Sequence, residues 1–277
     1  GADAAGLAAY VAETDFSNVT AAPGLIVNDV RQAMSLLSAA FFGRPQDKLT
    51  VIGITGTKGK TTTAYFVKAM IDEATGNRCA LFSSVDNCLD GHTFVESDLT
   101  TPESLDAFRM MREAVNNGMT HLVMEVSSQA YKVERVYGLT FDAGAFLNIS
   151  PDHISAIEHP TFEDYLYCKR QITANSRVLV MASDIDHADL IREDADAAGI
   201  NIATFAVRTA EASTTDAVDD VPVADITATA IDAASSTYEF HAGSHALGRC
   251  RLSLEGSFNA ANAAAAITLV RAVGIDI

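Results

Sequence analysis

The stretch from Thr50 to Met70 constrains the fold more than any other part of the chain. It opens on an apolar run, Val51-Ile52-Gly53-Ile54, continues through Thr55-Gly56-Thr57-Lys58-Gly59-Lys60-Thr61-Thr62-Thr63, and closes in an apolar pattern of helical spacing. Such an order reads as strand, phosphate-binding loop, helix. Gly56 and Gly59 let the backbone turn its N–H groups inward, and a helix starting near Lys60 adds the positive end of its dipole. Lys60 then reaches terminal phosphates as a point charge, and the Thr61 hydroxyl is placed to take a Mg2+ ion that bridges phosphate oxygens. Ile54 stands where the common G-x-x-x-x-G-K-[ST] pattern has its first glycine, so the loop is a shorter variant of it. The segment Gly56, Thr57, Lys58, Gly59, Lys60, Thr61 and Thr62 is the candidate nucleotide-binding loop, and a nucleoside triphosphate is the expected ligand.

A strand–loop–helix unit of this kind belongs in an α/β fold, and the flanking sequence agrees. Ahead of it come an alanine-rich piece expected to be helical, strand candidates around Tyr10-Val11 and Leu25-Ile26-Val27, and a helix capped by Asn28 or Asp29. Gly43 and Pro45 end that helix, so residues 1–45 read as the tail of a preceding domain and residues 46–277 as the nucleotide-binding domain. Beyond the loop, residues 78–83, 120–126, 141–149, 177–181 and 202–206 read as strands, with helices between several of them. Asp90-Gly91 signals a tight hairpin turn, and Thr100 or Thr101 is expected to cap a helix through Asn116 with Pro102 in its first turn. Residues 221–231, 237–242 and 246–254 are β-rich with turn signals between them. The expected architecture is a mostly parallel sheet of phosphate-loop type flanked by helices, with a small antiparallel sheet appended.

A net charge of -17 argues against a nucleic-acid surface and against anionic lipid. It also repels ATP-like anions, so lysine, helix ends and Mg2+ must reverse the field locally. The acidic stretch between Asp184 and Asp225 is expected to be a solvated face. Four scattered cysteines without C-x-x-C spacing point to a reducing compartment rather than a disulfide frame or zinc site. No apolar run approaches the roughly 18 residues of a membrane span, and the chain opens without a basic, apolar leader, so a cytoplasmic protein is expected.

Several residues outside the loop carry chemistry. Glu125 ends an apolar strand, where a carboxylate faces the crevice in which parallel sheets bind ligands. His153 follows another such strand end. Arg135 suits a bidentate grip on carboxylate or pyrophosphate, although arginines on helices are commonly solvated. Lys169, by residue type alone, would be an exposed charge, and the asparagines of Gly256-Ser257-Phe258-Asn259-Ala260-Ala261-Asn262 would be helix caps.

Together these segments resemble one family. GTKGKTTT is similar to the ATP loop of the Mur ligases, which join amino acids to the peptidoglycan precursor, and of their relatives the folylpolyglutamate synthetases. SSQAYKVERVYG and ISPDHISAIEHPTFEDY resemble the lysine-adding branch of the Mur family, HPTFEDYLYCKRQI is similar to the family stretch whose lysine is carbamylated, and the last asparagine-rich segment resembles the family's G-x-F-N-x-x-N element. The resemblance implies ATP as substrate, Asn259 and Asn262 beside the nucleotide, and Thr100, Thr101, Ser127 and Arg135 holding the precursor. It implies Lys60 as a catalytic lysine and a carbamate, formed from CO2, on Lys169. Two Mg2+ sites follow, one at Thr61 and one shared by Glu125, His153 and modified Lys169. The implied partners are a UDP-N-acetylmuramoyl dipeptide and a diamino acid, with no nucleic acid, no membrane and a monomeric state. The family has a further, amino-acid-binding domain that this chain is expected to lack, so the chain alone is expected to turn over little. The alternatives that the residues leave open are a folylpolyglutamate synthetase and a nucleotide-binding module that performs no ligation.

Overall fold

The computed structural model describes residues 6–152, 154–155, 157–208, 224–232 and 235–277. Two short parallel strands, β1 (Tyr10–Ala12) and β2 (Gly24–Ile26), lead to helix α1 (Val30–Phe41). Asp29 caps α1 by accepting from the backbone N–H groups of Arg31 and Gln32, as expected. Residues 7–9 are irregular, and residues 1–5 of the alanine-rich piece expected to be helical lie outside the described residues. A 3-10 turn at Pro45–Lys48 then delivers the chain to β3 (Thr50–Thr55).

From β3 onward the chain alternates. It runs through α2 (Lys60–Thr75), β4 (Cys79–Phe82), β5 (Asp86–Cys88), β6 (Phe94–Glu96), α3 (Ser104–Asn116), β7 (His121–Glu125), α4 (Ser128–Lys132) and β8 (Ala143–Phe146). It continues with α5 (Phe162–Ala174), β9 (Val178–Ala182), α6 (Ala188–Ala198), β10 (Asn201–Arg208), β11 (Ile226–Asp232), β12 (Thr237–Ala242), β13 (His245–Arg251) and α7 (Ser257–Ala272). Strands β3 to β13 form one eleven-stranded sheet in the order β13-β12-β11-β10-β9-β8-β3-β7-β4-β5-β6. The six strands from β4 to β10 in that order are parallel, and β11 joins them in parallel on β10. The antiparallel strands β12 and β13 therefore extend the main sheet itself, and β5 and β6 do the same at the far end.

Burial explains the arrangement. Val51, Ile52 and Ile54 of β3 are at most 1% exposed, as an apolar strand covered on both faces must be. One face packs against α2 and α7, whose Ala64, Val67, Ile71, Ala264, Ala265 and Val270 join Ile52, Ile54 and Val123 in one core. On the opposite face Phe108, Met111, Tyr165, Ile172 and Ile191 of α3, α5 and α6 pack on Val51, Leu122, Met124 and Phe146. The chain crosses from one side of β3 to the other between β7 and β8, which creates a crevice at the carboxyl ends of these three strands.

Three local expectations are revised. The β5–β6 connection spans residues 89–93 instead of a two-residue turn, and Asp90 organises it by accepting from His92 and Thr93 N–H groups, which hold its carboxyl down at about 2. Thr100 and Thr101 do not cap α3: Pro102 disfavours helical geometry at the residue before it, and the cap falls on Glu103, extended at φ -60 and ψ 151 with no side-chain bond. Within the acidic stretch Asp194 is not simply solvated, since it takes Arg170 of α5 in a bidentate pair at 2.7 Å on each oxygen. Among the described residues no helix is long and apolar enough to cross a membrane.

Candidate active site

At the end of β3 the chain enters the glycine loop, and both glycines are required there by conformation and by space. Gly56 has φ 153, and a Cβ on it would lie 3.0 Å from the Cβ of Leu147. Gly59, at φ 85, would bring its Cβ within 2.4 Å of Asn262 Oδ1. Because Gly59 is the N-cap of α2 and no side chain caps that helix, its first-turn N–H groups remain available to an anion.

The segment after β8 clamps the loop. Asn148 Oδ1 accepts from the Lys58 N–H and its Nδ2 donates to the Lys58 carbonyl, both at 2.9 Å, while the Asn148 carbonyl accepts from the Thr57 N–H at 3.1 Å. The Thr57 hydroxyl sits between the Ser150 N–H at 3.0 Å and the Tyr165 hydroxyl of α5 at 3.1 Å. The sequence reading did not single out Asn148; its signal was its position just beyond a buried strand's carboxyl end.

Two lysines converge on this loop. Lys60 Nζ donates to the Gly56 carbonyl at 2.9 Å, and Lys169 Nζ donates to the same oxygen at 2.8 Å while lying 4.8 Å from the centroid of the Tyr165 ring. Lys169 is 2% exposed, the reverse of what its residue type suggests. Burial first, and the nearby Lys60 charge second, push the Lys169 amine well below its ordinary value. Burial lowers Lys60 too, opposed by the charges of Glu125 and Asp152.

Thr61 faces β4 and β7. Its hydroxyl lies 3.1 Å from that of Ser84, and Ser84 in turn donates its N–H to Glu125 Oε1 at 2.9 Å and its hydroxyl to the same oxygen at 3.3 Å. Glu125 is 1% exposed and pairs in register with Ile54, so β7 delivers its carboxylate to the mouth of the loop. Two hydroxyls and a carboxylate are the hard oxygen donors that suit Mg2+. Ser84 was invisible in the sequence, where it is one more serine after a short strand.

On the far side of the loop, Asn262 Nδ2 donates to Asn259 Oδ1 at 3.2 Å, and Asn259 Nδ2 donates to the Glu255 carbonyl at 2.7 Å. The precursor candidates gather beside β7. Thr101 donates its hydroxyl to the Glu125 carbonyl at 3.0 Å and accepts from the Ser127 N–H at 3.0 Å, with half-buried Thr100 preceding it. Ser127 caps α4. Arg135 follows α4 rather than lying on a helix, and it is already paired: Glu103 Oε1 accepts from its Nε at 2.9 Å and from its second guanidinium nitrogen at 2.6 Å. His153 lies outside the described residues.

Among the described residues, His159, Asp164 and Cys168 also bring potential metal-ligand atoms within 4.8 Å of one another. Burial pushes the Cys168 thiol up to about 11, and the Lys132 ammonium already sits 2.8 Å from Asp164 Oδ2, so the trio reads as a hydrogen-bonded His159–Asp164 pair beside a thiol better than as a metal centre.

Comparison with known proteins agrees with this geometry. Residues 54–270 match the Mur ligase middle domain. The chain is 65% identical over its whole length to a UDP-N-acetylmuramyl-tripeptide synthetase of Bifidobacterium longum, covering 52% of that protein. It is 58% identical over 190 residues, 69% of this chain and 37% of the relative, to a UDP-N-acetylmuramoyl-L-alanyl-D-glutamate--L-lysine ligase of Enterococcus faecalis. This chain thus spans about half the length, or less, of these curated relatives. Among solved structures, a UDP-N-acetylmuramoyl-L-alanyl-D-glutamate--2,6-diaminopimelate ligase superposes with a TM-score of 0.78 at 24% identity, over 96% of this chain and 52% of that one. A Mycobacterium tuberculosis folylpolyglutamate synthase complexed with ADP and AMPPCP gives 0.64 at 15% identity, over 88% and 60%. Both likenesses are of fold.

Proposed function

The chain belongs to the Mur ligase family, and from that premise we propose that residues 46–277 are the ATP-handling central domain of a ligase that adds L-lysine, or a related diamino acid, to UDP-N-acetylmuramoyl-L-alanyl-D-glutamate. Residues 1–45 are then the tail of a precursor-binding domain. The observation that carries the reading is the convergence of Lys60 and Lys169 on the Gly56 carbonyl, beside the Thr61–Ser84–Glu125 chain of oxygens. The names of the relatives from Bifidobacterium longum and Enterococcus faecalis support the choice of acceptor.

In this reading the terminal phosphoryl group of ATP passes to the side-chain carboxylate of the precursor's D-glutamate, giving ADP and an acyl phosphate. The amine of the diamino acid then attacks the acyl carbon, and collapse of the tetrahedral intermediate expels phosphate and leaves the new amide. Lys60 leaves the Gly56 carbonyl to meet the charge of the transferring group, while the first N–H groups of α2 and the backbone from Gly56 to Thr62 hold the phosphates. Asn259 and Asn262 border the nucleotide. Thr100, Thr101, Ser127 and Arg135 orient the precursor, with Arg135 exchanging Glu103 for an anionic group of the ligand. A neutral Lys169 amine adds CO2 and releases one proton, becoming a carbamate; its burial beside a second lysine favours that neutral form. Mg2+, when bound at Thr61 and among Glu125, His153 and the Lys169 carbamate, supplies charge neutralisation for the phosphoryl oxygens.

The test is ATP-dependent phosphate release by the intact polypeptide that contains this chain, with the UDP-linked dipeptide and lysine as acceptors and a folate with glutamate as the control pair. Lys60→Ala is expected to lower turnover at least about a thousandfold, as loss of a phosphate-binding charge in phosphoryl transfer does. Near-normal ligation by that variant refutes the assignment. Residues 1–277 alone are expected to bind nucleotide with negligible turnover, since closure by a further domain completes such sites. The reading takes the protein to be a cytoplasmic monomer, which fractionation and sedimentation check.

A further inference from the structure

Helix α4 is only five residues long, too short to hold a helical conformation by its own hydrogen bonds. Yet it carries Ser127 at its N-cap and leads directly into Arg135, whose N–H donates to the Ala130 carbonyl at 2.8 Å. What holds α4 comes from elsewhere in the chain. Its first residue, Ser128, meets His159 Nε2 through its hydroxyl at 2.9 Å, and the other ring nitrogen of His159 meets Asp164 Oδ2 at 2.6 Å. The last residue of α4, Lys132, donates to the same Asp164 oxygen at 2.8 Å.

Both ends of α4 are therefore tied to one imidazole–carboxylate pair at the start of α5, the helix that carries Lys169 further along; the imidazole is buried and the carboxylate is partly exposed. His159 and Ser128 are 1% and 6% exposed, so water does not compete for the bond between them as it would at a surface. The ring of His159 also packs edge-on against Tyr165, with centroids 5.2 Å apart, which fixes its plane. None of the roles assigned above to nucleotide, metal or precursor uses His159, Ser128 or Asp164.

We propose that His159, held by Asp164, is a positioning residue for the precursor: it sets the place of α4, and through α4 the Ser127 hydroxyl and the Arg135 guanidinium that receive the acceptor substrate. The inference rests on the proposed function for the identity of that acceptor. It differs from a general stabilising role because α4 reaches the precursor group, whereas the glycine loop is held mainly by Asn148 and touches this cluster only through the Thr57–Tyr165 hydroxyl contact, which Ser128→Ala leaves in place. Loosening α4 should weaken one substrate and spare the other.

The experiment measures steady-state kinetics of the intact polypeptide with ATP, lysine and the UDP-linked dipeptide, alongside thermal unfolding, for wild type, His159→Ala, His159→Gln and Ser128→Ala. Wild-type ligation establishes the acceptor independently; its absence overturns the function reading rather than this one. Given that activity, His159→Ala and Ser128→Ala are expected to raise the KM for the dipeptide at least fivefold while leaving the KM for ATP within twofold. His159→Gln, which retains a hydrogen-bonding group near the Nε2 position, is expected to recover at least half of the lost affinity. Should His159→Ala fail to fold, Ser128→Ala decides alone, since it removes one hydroxyl and leaves the α4 cap in place. A dipeptide KM within twofold of wild type in the folded variants, or an equal rise in the KM for ATP, overturns the proposal.

Discussion

At the Gly56 carbonyl, one oxygen accepts from two lysines, and the deeper of them is the less able to remain charged. Lys169 has a folded-state pKa below its ordinary value of 10.5, so between the two the unfolded chain binds more protons than the folded one. Stability therefore rises with pH across that window and falls as acid is added. With Lys169 kept unmodified by CO2-free buffer, Lys169→Met, similar in length and without the amine, is expected to flatten this slope and to raise stability at pH 7; urea denaturation between pH 6 and 10 measures both. Gly59→Ala is the complementary case. Its Cβ would meet Asn262 Oδ1 in a left-handed backbone position, so the variant is expected to lose about 1 kcal/mol or more of stability and most of its nucleotide affinity, read by calorimetry with an ATP analogue. At this scale the sequence was unevenly legible. The loop residues announce themselves through glycine spacing and flanking pattern, and Lys169 stood out only through family likeness. Ser84, Asn148 and His159 are ordinary residues until the fold brings partners 41, 90 and 31 positions away onto them.

Among the elements, the long apolar strands and helix α1 were readable because burial on both faces and the Asp29 cap leave direct marks in the sequence. Helix α3 misled because Thr-Thr-Pro looks like a helix start. The proline instead disfavours helical geometry at Thr101, whose hydroxyl bridges Glu125 and Ser127. Helix α7 owes its place to size: Ala260, Ala263, Ala264, Ala265 and Ala266 are all nearly or fully buried, so it lies close against β9, β10, β11 and α2. Enlarging one of these positions has nowhere to go. Ala264→Leu is expected to destabilise the fold by about 1–3 kcal/mol through overpacking, a shift in the chemical-denaturation midpoint with unchanged slope.

For the molecule as a whole, the net charge of -17 works against the anion that its loop is shaped to receive. Binding must then depend on the local cations and on Mg2+. Saturating ATP analogue with Mg2+, at roughly a hundred times its dissociation constant, is expected to add about 2.7 kcal/mol to folding stability, and a chelator is expected to remove most of that gain. Differential scanning calorimetry reads the shift directly. The same sheet has a consequence for how copies of this protein meet one another. A sheet that is not closed into a barrel leaves two rims where backbone valences point outward, and rims are where chains zip together into ribbons. Here one rim, β6, offers only three residues, and the other, β13, is kinked where its register slips opposite Phe240 and His241 and bristles with Arg249 and Arg251. Lateral growth finds little purchase on either, so eleven strands can lie side by side without inviting a twelfth.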